Sequence, residues 1–470
     1  MMTLREAATV LGSQADMPGG FVCVGTDSRH VKPGELFVAL RGARFDGHDF
    51  VAQALADGAA GAVVDRMWAD AHGGDSGPII VVEDTRRALG ALAGHWRSCF
   101  RIPVIGITGS NGKTTVKEMC AAIMRAHVRS EGYGSDTVLA TRGNLNNDIG
   151  LPLTLLELRE GHRAAVVEMG MNRPGEIAYL AALARPTVAI VTNAQRAHLQ
   201  GVGSLQQIAE EKGAIYGGLE SGGVAVINAD DPHAGYWRDL NAARRVISFG
   251  LDEAADVSGR CALHGLGASL ELMSPEGRVA VNLKVPGAHN VRNALGAAAA
   301  CLAAGATLDA VAEGLSGFSG TRGRLQSGPG LHGSTILDDS YNANPDSVRA
   351  AIDVLAATPG RKVLVLGDMG EIGGTSAQIH DEIGGYAKSK GIDELYALGE
   401  MSLVAARNFG EGGRHYASLE ALVEAVGKRL DADTVVLVKG SRFMGMERVA
   451  DALSAVHNDA PPEDGDTHVA

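Results

Sequence analysis

The chain has 470 residues, of which 45% are hydrophobic and 21% charged, the composition of a globular protein too long for one hydrophobic core. Its formal charge of -13 opposes nonspecific attachment to nucleic acid or to an anionic membrane. The five cysteines are scattered with no CxxC pair, which argues against a zinc ribbon or a disulfide framework and fits a reducing cytoplasm.

The first residues lack the apolar core of a signal peptide, and the apolar stretch around Ala294–Ala306 is too short for a membrane span, so no stable membrane insertion is expected. Residues 1–100 read as a small mixed α/β domain. Its strand-like runs are Phe21–Val24, Leu36–Leu40, Ala62–Val64 and Ile79–Val82, with a helix from Asp49 to Ala56.

From residue 101 to 320 strand and helix alternate, the pattern of a parallel sheet with crossover helices. Strands are expected at Val104–Thr108, Ala165–Glu168, Val188–Thr192 and Val224–Asn228, and helices at Lys113–His127, Pro174–Ala182, Leu205–Tyr216 and Asn290–Ala304. The Gly- and Ser-rich passage Ser316–Gly323 reads as an interdomain hinge. A second alternating domain, Rossmann-like, fills 321–457, with strands near Thr335–Leu337, Lys362–Leu366, Glu394–Ala397 and Thr434–Val438. The polar, proline-containing residues 458–470 read as a disordered tail.

The chemistry starts where the apolar strand Val104–Thr108 runs into Gly109-Ser110-Asn111-Gly112-Lys113-Thr114-Thr115 and a helix follows. Small residues let backbone N–H groups converge on phosphate oxygens, Lys113 adds a full positive charge, and the Thr114 hydroxyl suits Mg²⁺. The full phosphate-loop pattern fails at Ile107; what stands is a shorter GxxGKT form, which predicts an ATP site. Glu168 closes an apolar strand, so it is either a metal ligand at the catalytic rim of the sheet or a solvated carboxylate. His198, in a loop, is by itself structural or a ligand, and Lys212 reads as an ordinary helix lysine.

In this order the motifs resemble the Mur ligase family of peptidoglycan synthesis. The resemblance rests on Thr26-Asp27-Ser28-Arg29, the Thr108–Thr114 loop, Gly143-Asn144-Leu145-Asn146-Asn147, Glu168-Met169-Gly170, the Asn193–His198 loop and Ala209-Glu210-Glu211-Lys212. Gly287–Ala294 and Gly323-Arg324 continue it. It implies a three-domain α/β fold with a central phosphate-loop ATPase domain. It assigns Asp27, Ser28, Arg29, Asn144 and Asn147 to a UDP-linked substrate, and Asn290, Asn293, Arg324 and Asp339, with residues 109–115, to ATP. It also implies two Mg²⁺ ions, one on Thr114 and Glu168, the other on His198 and a Lys212 carbamylated by CO₂; Lys113, Glu168, His198 and Lys212 become the catalytic set. Gln200 and Gly213 depart from the family pattern beside that second metal site.

Asp338–Ser347, Gly367–Glu371, Val438–Arg442 and the passage from Gly42 through Asp46 to His48 resemble the branch that joins D-alanyl-D-alanine to UDP-N-acetylmuramoyl-tripeptide, with Tyr341, Asn342, Asn344 and Ser347 implied in substrate binding. A monomer is expected. The rivals are a related Mur or folylpolyglutamate-type ligase adding another amino acid, and a noncatalytic nucleotide-binding scaffold.

Overall fold

The computed structural model describes residues 1–13, 17–42, 45–73, 77–196 and 203–455. The expected tail at 458–470 and the loop residues His198 and Gln200 lie outside them.

Each of three successive regions is built on a mainly parallel sheet. The first orders its strands Cys23–Gly25, Glu35–Val38, Gly61–Asp65, Ile79–Val82, and a two-stranded antiparallel ribbon joins Met2–Thr3 to Gly20–Phe21. The long helix Thr85–Ser98 follows, N-capped by Asp84, whose carboxylate accepts from the N–H groups of Arg86 and Arg87.

The second sheet has six parallel strands in the order Arg245–Phe249, Val224–Asn228, Val188–Val191, Val104–Thr108, Ala164–Glu168, Val138–Ala140. Its four inner strands are wholly buried apolar runs, as a sheet covered on both faces requires. The chain leaves Val104–Thr108 toward one edge and later returns to its other side, so the C-terminal end of that strand is a topological switch point, where open α/β sheets bind ligands. A three-stranded antiparallel sheet, Ser258–His264, Gly267–Ser274 and Gly277–Leu283, is appended and was not expected.

The passage read as a hinge is partly helical. Helix Leu308–Gly317, capped by Thr307, takes in Ser316 and Gly317, and the turn toward the third region begins only at Phe318. The third sheet runs Gln326–Pro329, Thr335–Asp339, Thr434–Lys439, Arg361–Gly367, Glu394–Leu398, Gly413–Tyr416, with only the first strand antiparallel.

Packing divides the molecule unevenly. One apolar cluster runs from Leu36, Val63 and Ile80 of the first region into Leu151, Val167 and Val191 of the second, so these two are welded. The third region keeps its own clusters, around Leu337 and Leu364 on one face and Val365 and Val436 on the other. Among the described residues no helix is long and apolar enough to cross a membrane.

Candidate active site

The phosphate loop follows directly from its residues. Gly109 has φ +147° and an added Cβ would lie 1.9 Å from Thr192 Oγ1; Gly112 has φ +80° and a Cβ there would meet Asn293 Oδ1 at 2.5 Å. Both positions therefore require glycine, the second as the left-handed N-cap of helix Lys113–Ser130. The first-turn N–H groups of that helix lack intrahelical partners and point out of the loop, with the positive end of the helix dipole behind them. Lys113 Nζ donates to the carbonyls of Gly109 (2.7 Å) and Ser110 (3.2 Å); burial pushes its pKa down while the Glu168 carboxylate opposes the shift.

Glu168 ends its strand 2% exposed. Its Oε1 accepts from Asn146 Nδ2 at 2.8 Å and its backbone N–H donates to Thr141 Oγ1, but Oε2 is buried with no partner among the described residues. Lys212, on helix Leu205–Gly213, is fully buried and its Nζ is likewise unpartnered. Burial, with the nearby charge of Lys113, drives its pKa well below the usual lysine value. It is thus not the surface lysine that its sequence context suggests. Two buried polar atoms left unmade each cost free energy, so a ligand that satisfies both is the economical explanation.

The third region supplies the other wall. Arg324 Nη2 donates to Thr114 Oγ1 at 3.1 Å, and its guanidinium lies 4.0 Å from the centre of the Tyr341 ring. Arg442 lies 5.4 Å from the same ring. Asp339 ends its strand beside Lys439, which ends the neighbouring one; Lys439 Nζ donates to Asp339 Oδ2 at 2.5 Å and to the Asn342 carbonyl at 2.9 Å. Burial raises the Asp339 pKa, and the Lys439 ammonium counters it. Between the walls a cleft is lined by Gly112, Thr115, Asn290, Asn293, Arg324 and Asp339, so the residues expected to take the nucleotide do converge. Asn290 braces the helix start, donating to the Pro286 carbonyl and accepting from Asn293 Nδ2.

Other expected site residues stand differently. Asn147 Oδ1 caps helix Gly150–Leu156, accepting from the N–H groups of Ile149 and Gly150, while Asn144 is exposed. The asparagine of that segment that reaches the site is Asn146, not singled out from sequence. Ser347 and Asn344 form a reciprocal capping box on helix Pro345–Ala356. Asp27 and Arg29 form an exposed two-pronged ion pair (2.9 and 2.8 Å) in the first region, with Ser28 between them. Ser110 Oγ donates to the Gln195 carbonyl and accepts from the Gln195 N–H, tying the phosphate loop to the next strand's exit.

The fold and this cleft define a phosphate-loop protein with an open cleft between two α/β regions. Residues 21–97 match the Mur ligase family catalytic domain, 107–301 the Mur ligase middle domain, and 323–442 the Mur ligase glutamate ligase domain. The UDP-N-acetylmuramoyl-tripeptide–D-alanyl-D-alanine ligase of Escherichia coli K12 is 42% identical over 435 residues, which are 92% of this chain and 93% of the relative. A crystal structure of MurF from Acinetobacter baumannii superposes with TM-score 0.87 at 35% identity, covering 96% of this chain and 98% of that one. The MurF ligase of Thermotoga maritima in complex with ADP superposes with TM-score 0.80 at 29% identity, covering 92% and 96%. This chain belongs to the Mur ligase family, and it is an ATP-dependent amide-forming ligase.

Proposed function

We propose that the protein joins D-alanyl-D-alanine to UDP-N-acetylmuramoyl-tripeptide at the expense of ATP, with Lys113, Glu168, Lys212 and His198 as its catalytic set. The observation that carries the chemistry is the pair of unpartnered buried atoms, Glu168 Oε2 and Lys212 Nζ, close to the phosphate loop. The relatives' names supply the substrates.

The donor set suits Mg²⁺, a hard cation that takes few protein oxygens and completes its shell with phosphate and water. On the family resemblance, Thr114 and Glu168 would hold one ion and the second would rest on His198 and a carbamate on Lys212; the unpartnered Glu168 Oε2 and Lys212 Nζ fit that reading. Burial, which lowers the Lys212 pKa, favours the neutral amine that would attack CO₂, releasing a proton and leaving a carbamate anion on that nitrogen. Bound magnesium supplies charge neutralisation over the phosphate oxygens.

The tripeptide's terminal carboxylate is a poor acylating agent. Its oxygen attacks the γ-phosphorus, the bond to ADP breaks, and an acyl phosphate forms. The neutral amine of D-alanyl-D-alanine then attacks that carbonyl, phosphate leaves with its bonding electrons, and the amine gives up a proton. Lys113 and Arg324 stabilise charge on the transferring group, and helix Lys113–Ser130 directs its N-terminus at it. Asn290, Asn293 and Asp339 hold the nucleoside, while Asp27, Ser28, Arg29, Asn144 and Asn147 receive the UDP-linked substrate. The domain spans 1–100, 101–320 and 321–457 divide these roles among substrate, nucleotide and dipeptide.

The test is a phosphate-release panel with ATP, Mg²⁺ and UDP-N-acetylmuramoyl-tripeptide. Release is expected on adding D-alanyl-D-alanine, with a product heavier by the dipeptide; no release, or equal release with single amino acids, sinks the assignment.

A further inference from the structure

The third domain meets the phosphate loop through hydrogen bonds, and the strand exit beside that loop through an ion pair. Asn111, inside that loop, spends every polar group within the protein. Its N–H donates to Asn193 Oδ1 (2.9 Å) and its carbonyl accepts from Thr192 Oγ1 (2.6 Å) and Asn193 Nδ2 (3.0 Å). Its side chain donates to Gln195 Oε1 (2.7 Å) and accepts from Asn344 Nδ2 (2.7 Å). The Asn111 side chain is therefore committed to protein partners, and Asn344, expected to touch substrate, is committed to Asn111 and to its own helix cap.

Two residues further along that helix, Asp346 accepts from both the backbone N–H (2.9 Å) and the guanidinium (2.6 and 3.0 Å) of Arg196. A carboxylate gripped by the main chain and side chain of one residue fixes position and orientation together. Thr192–Arg196, the exit of a central strand, thus binds the phosphate loop on one side and the third domain on the other.

We propose that Asn111, Arg196, Asn344 and Asp346 form a latch that registers the third domain on the phosphate loop, making Arg196 and Asp346 positioning residues for the amide-forming half of the reaction. This rests on the proposed function. Because the third domain has its own core, apart from the one shared by the first two, small polar contacts at the cleft can decide how it sits there. With the latch closed, the dipeptide amine is held against the acyl phosphate. With it broken, water attacks the same carbonyl, so carboxylate and phosphate form and ATP is spent without an amide.

The readout is phosphate released per ligated product, with ATP, UDP-N-acetylmuramoyl-tripeptide and D-alanyl-D-alanine. Wild type is expected to give one. Asp346→Ala and Arg196→Gln should each raise the ratio at least ~3-fold and raise KM for the dipeptide, leaving KM for ATP within about 2-fold. The charge exchange Arg196→Asp with Asp346→Arg restores the side-chain pair but not the bond from the residue 196 backbone N–H, so it should bring the ratio part of the way back toward one, where each single reversal does not. Arg196→Gln lies in a loop and tests the idea even if helix-start variants misfold. A ratio of one in Arg196→Gln, or a double exchange no better than its singles, overturns the latch. A wild type that releases no phosphate overturns the function instead.

Discussion

The two six-stranded sheets face one cleft with the same kind of edge and treat buried charge in opposite ways. On the middle domain's side, Glu168 at a strand end and Lys212 on helix Leu205–Gly213 are buried, each with one polar atom unpartnered among the described residues. On the third, Asp339 and Lys439 are equally buried but bonded to each other, and Asp339 also accepts from the Leu325 N–H. The Asp339–Lys439 pair is satisfied within the protein, whereas on the proposed function the unpartnered atoms of Glu168 and Lys212 await a metal and a carbamate. The middle edge is thus the chemical wall and the third-domain edge the docking wall.

The largest effect falls on the chemical wall. Lys113→Ala should lower turnover on the order of 10³-fold or more, because a full charge beside the transferring phosphoryl group is removed. Its circular dichroism and melting temperature should stay near wild type, since among the described residues the ammonium bonds to the carbonyls of Gly109 and Ser110 alone. Turnover within tenfold of wild type would remove the loop from the mechanism.

One substitution made twice then breaks or sharpens the contrast. Lys439→Met strands the buried Asp339 and should cost about 3–5 kcal/mol at neutral pH by urea unfolding. Asp339, already raised by burial, rises further without its ammonium, so the penalty appears as pH climbs through the ordinary aspartate value and shrinks in acid. Lys212→Met removes an amine that has no partner among the described residues, so stability should hold or rise by about 1 kcal/mol while ligation is lost. Equal destabilisation by both variants would erase the distinction between the walls.

The sequence carried the middle sheet's inner strands and phosphate loop because their signals are local: apolar runs of the right length, then glycines at positions with positive φ. The short edge strand Val138–Ala140 and the antiparallel Gly267–Ser274 escaped, the latter because its alternating burial gives no continuous apolar run. The site divides in the same way. Lys113, Thr114 and Glu168 are legible from their strand ends, whereas Lys212 is ordinary in its helix, is picked out by the family resemblance alone, and gains a physical reason from its burial. Arg196 and Asp346 meet across 150 positions, and no period or motif joins residues so far apart. Asn146 was passed over between Asn144 and Asn147, because nothing local distinguishes which of three asparagines reaches Glu168.

A pH-dependent effect lies at the seam between the walls. His289, on helix Ala288–Ala303, is half-buried at the cleft, and burial pushes its pKa down to about 4, with the cations Lys439 and Arg292 adding to the shift. The folded protein therefore keeps this imidazole neutral where the unfolded chain protonates it. Below about 6.5 the unfolded state gains a proton that the native state refuses, so stability falls as pH drops toward 4 and levels off beyond. At about 1.4 kcal/mol per pH unit the full window is worth roughly 2–3 kcal/mol after allowance for relaxation of the site. His289→Gln keeps a polar side chain but cannot titrate, so its urea midpoint should vary less between pH 6.5 and 4 than that of wild type. If the two curves stay parallel, the seam is not sealed against protons, and Lys439 acts on Asp339 alone.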